Sequence, residues 1–100
     1  MSKLMRSVSG IRGVVGDTLT PQVLFSHTKA FLEITNAKKI VIGRDSRPTG
    51  EAIVQMVSGF CRLCGVDVID AGLATTPSVV ILVTELNADA GLIITASHNP

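Results

Sequence analysis

Three short runs, Ile40-Val41-Ile42, Val66 to Ile69 and Leu92-Ile93-Ile94, are rich in β-branched residues, flanked by Gly or Asp and separated by stretches of helical length. This spacing restricts the chain more than any other feature. Strands buried on both faces of a parallel sheet read as continuous apolar runs, and joining them in parallel takes a crossover of about a dozen residues or more. The composition agrees, with 46% hydrophobic residues, 17% charged residues and a mean hydropathy of +0.46. The longest apolar run, Val79 to Val83, falls far short of the ~18–20 residues that a membrane-spanning helix needs.

The intervening segments carry helical signatures. Thr20 is suited to cap a helix and Pro21 to open it, because the N–H that proline lacks would be unpaired at the first position. Val23, Leu24, Ala30, Phe31 and Ile34 then form an apolar stripe, which predicts a helix over 21–35. Ile53, Met56, Val57, Phe60, Cys61 and Cys64 form a second stripe that stops at Gly65, which predicts a helix over 50–64. Residues 77–86 have strand propensity, but Thr76-Pro77 repeats the device of Thr20-Pro21 and a crossover is required there, so a buried helix is expected. With a first strand near 3–8 or 13–15, the order is β-α-β-α-β-α-β. That is an α/β chain: a three-layer α/β/α domain with a mixed, mainly parallel sheet, incomplete at its C-terminal end.

A chain of 100 residues builds one domain, so residues 1–100 cannot enclose a cleft between two large domains. The net charge of +1, three Phe and no Trp or Tyr provide neither a basic footprint nor stacking platforms for nucleic acid. The basic start, Met1 to Arg6, has no apolar stretch behind it, so no secretory signal is legible and a cytosolic setting is expected. No nucleic acid and no membrane are expected as partners.

Polar residues cluster where strands end, which is where open α/β sheets bind ligands. Thr95-Ala96-Ser97-His98-Asn99-Pro100 brings together a hydroxyl, an imidazole and an amide after an apolar strand. Ser97 is the candidate nucleophile, with His98 beside it; the competing reading is a plain polar turn. Ser9-Gly10-Ile11-Arg12-Gly13, with Gly16, has glycines that admit close approach of an anion and an arginine whose fork matches phosphate oxygens, or it forms a hairpin turn. The segment Gly43 to Gly50 sets Arg44 and Arg47 around Asp45, as a phosphate site or as an ion-pair staple. Cys61 and Cys64 sit at the end of a helix, where the dipole disfavours thiolate, and the only histidines are His27 and His98 at no metal-ligand spacing. Buried, reduced thiols are expected.

Taken in order, Ser9-Gly10-Ile11-Arg12-Gly13, Gly43-Arg44-Asp45-Ser46-Arg47, Thr75-Thr76-Pro77 and Thr95-Ala96-Ser97-His98-Asn99-Pro100 resemble the first domain of the α-D-phosphohexomutases over essentially the whole chain. The resemblance implies an intramolecular phosphotransferase that interconverts hexose 1-phosphate and 6-phosphate through a phosphoserine and a hexose 1,6-bisphosphate, the latter acting as intermediate and activator. Ser97 matches the phosphorylated serine, whose phosphate meets a Mg²⁺ held by a second domain. His98 matches a residue that assists proton transfer, and Arg12 an arginine reaching into the cleft. Ser9, Gly10, Arg12, Asn99, Arg44 and Arg47 are the expected substrate and phosphate contacts. Which hexose is used stays open, because family specificity lies in later domains.

Family members have four domains, so residues 1–100 are expected to form most of domain one, truncated after the phosphoserine loop and inactive alone. A different class of function is a non-catalytic phosphate- or nucleotide-binding module that uses the Gly10 to Gly16 loop. A third reading is self-association through an unpaired sheet edge.

Overall fold

The computed structural model describes residues 7–14, 20–46 and 48–97; for 7–14, 48–49 and 96–97 it describes the backbone alone. The elements follow the expected alternation: β1 (Ser7–Val14), α1 (Pro21–Thr35), β2 (Lys39–Arg44), α2 (Pro48–Leu63), β3 (Asp67–Leu73), α3 (Thr76–Glu85) and β4 (Ala90–Ser97). The sheet order is β1-β4-β2-β3, and every pairing among the described residues is parallel.

The strand alternation explains the layers. Ile40, Ile42, Leu92 and Ile94 face one way and pack with Leu24 and Phe31 of α1 and with Val54 and Val57 of α2. Val41 and Ile93 face the other way, onto Val79 and Val83 of α3. Two helices thus cover one face and a single helix the other, which is the three-layer α/β/α arrangement. At the amino ends of the strands the Asp89 carboxylate accepts the Lys38 and Lys39 N–H groups at 2.8 and 3.1 Å. This ties the start of β4 to the start of β2.

Helix α1 begins and ends as expected, with Thr20 accepting the Val23 N–H at 3.2 Å and Pro21 in the first turn. Its stripe differs. Leu24, Thr28, Phe31 and Leu32 are buried, whereas Ala30 is exposed and Ile34 is 83% exposed. At 3.6 residues per turn those two positions fall off the face that the buried four define. Thr28 fills a core position although its Oγ1 has no hydrogen-bond partner among the described residues.

Helix α2 starts two residues earlier than expected and ends at Leu63, followed by Gly65 at φ +84°. Helix α3 is capped by Thr75, not Thr76, so Pro77 takes the second helical position. It is also not fully buried. Val79 and Val83 are, but Val80 and Ile81 are 44% and 55% exposed because one side only meets the sheet.

The first strand runs over Ser7–Val14, overlapping both expected ranges, so Ser9 to Gly13 are strand residues rather than a hairpin turn. They pair along their length with β4, from Ser7↔Ala90 to Val14↔Ser97. That long ladder overrides the turn propensity of two glycines. Gly16, Arg47, His98, Asn99 and Pro100 lie outside the described residues.

Candidate functional site

The carboxyl ends of β2, β3 and β4 surround a crevice of about 530 Å³. The chain leaves β2 towards α2 on one face and leaves β3 towards α3 on the other, so the connections diverge there. Such switch points are where open α/β sheets accept ligands.

One wall continues β2. Arg44 and Asp45 line it; the Arg44 guanidinium donates to the Asp45 carbonyl at 3.2 Å, and the Asp45 N–H donates to the Ile94 carbonyl at 3.1 Å. Among the described residues the guanidinium is held by this backbone oxygen, and its planar fork of donors suits an anion. The facing wall is the capping turn of α3. Thr75 Oγ1 accepts the Ser78 N–H at 3.2 Å and donates to Ser78 Oγ at 3.0 Å. Thr95 of β4 lines the floor.

Arg12 is the register partner of Thr95 and Val14 that of Ser97, so Arg12 and Ser97 occupy the carboxyl-terminal parts of adjacent strands beside the crevice floor. Ser9 and Gly10 pair with Leu92 and Ile93, further back in the ladder. The structure thus brings Arg12, Arg44 and Ser97 to one end of the sheet and leaves Ser9 and Gly10 in its body. Thr75, Ser78 and Thr95 are lining residues that the motifs did not single out as contacts. For Thr75 and Thr95 the signal was position, at or just beyond the carboxyl end of a strand; Ser78 is in the first turn of α3.

The Cys61–Cys64 pair is placed differently from expectation. Cys61 is buried, but Cys64 is exposed, because α2 ends before it and its N–H turns back to Phe60 and Cys61. Burial first, and the neighbouring Cys64 second, push the Cys61 thiol from 9.0 up to about 11. The folded chain therefore keeps a proton that the unfolded chain releases. This contribution to stability is complete below pH 9.0 and is lost as pH climbs towards 11. Denaturation at about pH 8 and about pH 10.5 should show the loss, reduced in Cys61→Val. Under native conditions a thiol reagent should label Cys64 and spare Cys61. Among the described residues no group of three or more His, Cys, Asp or Glu could hold a metal ion, and no helix is long and apolar enough to cross a membrane.

The domain profile described as "Phosphoglucomutase/phosphomannomutase, alpha/beta/alpha domain I" matches residues 3–100. The chain belongs to that family, the α-D-phosphohexomutases, as its domain I. It is 43% identical to the phosphoglucosamine mutase of Alkaliphilus metalliredigens over 105 aligned residues, covering 100% of this chain and 23% of that protein. It is 45% identical to a probable phosphoglucosamine mutase of Thermococcus kodakarensis over 92 residues, covering 92% of this chain and 20% of that protein. A phosphoglucosamine/phosphogalactosamine mutase of Sulfurisphaera tokodaii is 41% identical over 101 residues, covering 100% and 22%. The chain spans about a fifth of the length of the curated relatives it matches.

Proposed function

We propose that residues 1–100 are most of domain one of a cytosolic phosphohexomutase and carry its phosphoserine. The reading rests above all on Ser97 ending β4 beside Arg12 and the Arg44 crevice, in a chain of this family. Ser97 Oγ holds the phosphoryl group. A hydroxyl of the bound hexose phosphate attacks phosphorus, the Oγ–P bond breaks as the new O–P bond forms, and the hydroxyl proton passes, by way of a base for which His98 is the candidate, to the departing Ser97 Oγ. The bisphosphate turns over and returns its other phosphate to Ser97. Phosphoryl transfer asks a protein mainly for positioning and charge neutralisation, and arginines are suited to both. Arg12, Arg44 and Arg47, with Ser9, Gly10 and Asn99, are the proposed substrate contacts.

The family resemblance implies Mg²⁺; this chain's proposed contact with it is the phosphate on Ser97, and among the described residues no group of three or more His, Cys, Asp or Glu could hold a metal ion. The relatives' names favour an amino-sugar phosphate as substrate. Self-association of the isolated chain would use β1, because the β3 edge carries Asp67, Asp70 and a register shift, features that oppose strand addition.

The test is turnover by the longer protein that carries this domain. Glucosamine, glucose and mannose phosphates are offered with Mg²⁺ and a bisphosphate primer. Conversion of glucosamine 6-phosphate to the 1-phosphate is expected; inactivity on all three overturns the reading.

A further inference from the structure

Gly43 sits in β2 where its register with β3 shifts. A Cβ built there would stand 2.8 Å from Val79 Cγ2, 3.1 Å from Ala74 Cβ and 3.6 Å from Ile93 Cδ1. The first distance lies below the 3.0 Å that real Cβ contacts essentially never breach. Val79 is 0% exposed and β-branched, so its methyl has no free rotamer to retreat into. A glycine within a strand commonly marks such a close approach.

The two side chains in contact bracket the capping turn of α3. Ala74 precedes the cap Thr75, and the Val79 N–H donates to the Thr75 carbonyl at 3.0 Å. The Ala74 N–H donates to the Arg44 carbonyl at 3.1 Å, so the turn is tied to the residue that follows Gly43. The turn rests as a unit on the bare Cα of Gly43. It is also one wall of the crevice, and Arg44 and Asp45 are the other.

We infer that Gly43 is a positioning residue: its missing side chain sets the separation between the Thr75–Ser78 hydroxyls and Arg44, and with it the fit of the ligand. The inference rests on the sugar-phosphate reading for the identity of that ligand, and on geometry alone for the placement of the turn. A misplacement of about 1 Å costs up to ~10²-fold in catalysis, so the smaller shift that a Cβ here would force on the turn is expected to cost less, and as ligand fit.

The test compares the longer protein as wild type, Gly43→Ala and Gly43→Ala/Val79→Ala, by steady-state kinetics and by hydrogen exchange of the segment 74–79. Gly43→Ala is expected to raise KM about 10-fold with kcat within about 3-fold, and to speed exchange of that segment. Removing the Val79 methyls should reverse most of both changes. A purely structural glycine would lower the active fraction and leave KM unchanged, which overturns the inference, as does a KM change that Val79→Ala fails to rescue. Wild type lacking mutase activity overturns the functional reading instead. The exchange data then decide: faster exchange reversed by the second substitution supports the placement, and unchanged exchange overturns it.

Discussion

Ser97→Ala in the longer protein is expected to lower turnover by at least about 10³-fold while leaving substrate affinity within a few-fold, because in the proposed mechanism it removes the atom that carries the transferred group and keeps the backbone. Ser97 ends β4, whose register is fixed on one side from Ser7↔Ala90 to Val14↔Ser97 and on the other from Ile40↔Ala90 to Arg44↔Ile94. That ladder is made by backbone groups, which Ala retains. The denaturation midpoint should therefore move by no more than the equivalent of about 0.5 kcal/mol. Mass spectrometry of the peptide spanning Ser97 should find a phosphoryl group in wild type and none in the variant. A binding module without chemistry would retain its ligand affinity and show no phosphoserine. A Ser97→Ala protein that turns over at the wild-type rate removes Ser97 from the mechanism, whatever its affinity.

Helix α1 was legible to the residue because three local signals coincide: the Thr20 cap, Pro21 at the first position and an apolar stripe. Helix α3 was legible as a helix despite its β-branched run, because two parallel strands need a crossover between them. Its cap was misread by one residue, since Thr75 and Thr76 offer the same hydroxyl and only the geometry shows which one meets the Ser78 N–H. Strand β1 was the least legible. Ser7–Val14 contains two glycines and reads as a turn, and it becomes a strand through pairing with residues more than 80 positions away. The order β1-β4-β2-β3 was hidden for the same reason: local pattern identifies strands but not their neighbours.

The site divides along that line. Ser97, Arg12 and Arg44 could be named from motifs as site residues; Thr75 and Thr95 stand in the same motifs without a role, and their place with Ser78 around the crevice shows only once β2, β3 and β4 are known to share one end. Gly43 shows the limit most sharply. As a letter it looked like the end of a strand; as a surface it is what α3 rests on.

Ile94→Ala should have the largest effect on stability, about 2–5 kcal/mol, which is a large part of the roughly 5–15 kcal/mol available to a domain. Ile94 is 0% exposed, and it packs with residues of both α1 and α2. It lies on β4, between β1 and β2, with Ile11 and Arg44 as register partners. Backbone ladders on both sides prevent the strand from collapsing into the space left by the lost carbons, so the cavity persists and its cost adds to the lost burial. At about 4–8 °C per kcal/mol for a domain of this size, the melting temperature should fall by roughly 8–40 °C. Ile81→Ala, on the 55% exposed outer side of α3, is the control and should cost under about 1 kcal/mol. Because Ile94 is three residues before Ser97 on one strand, the variant also tests how the site is supported. Where it is still folded, turnover per folded molecule should stay within a few-fold of wild type, since the ladder rather than the side chain carries Ser97. If Ile94→Ala and Ile81→Ala cost the same, β4 is not the central buried strand, and the support assigned to Ser97 falls with it.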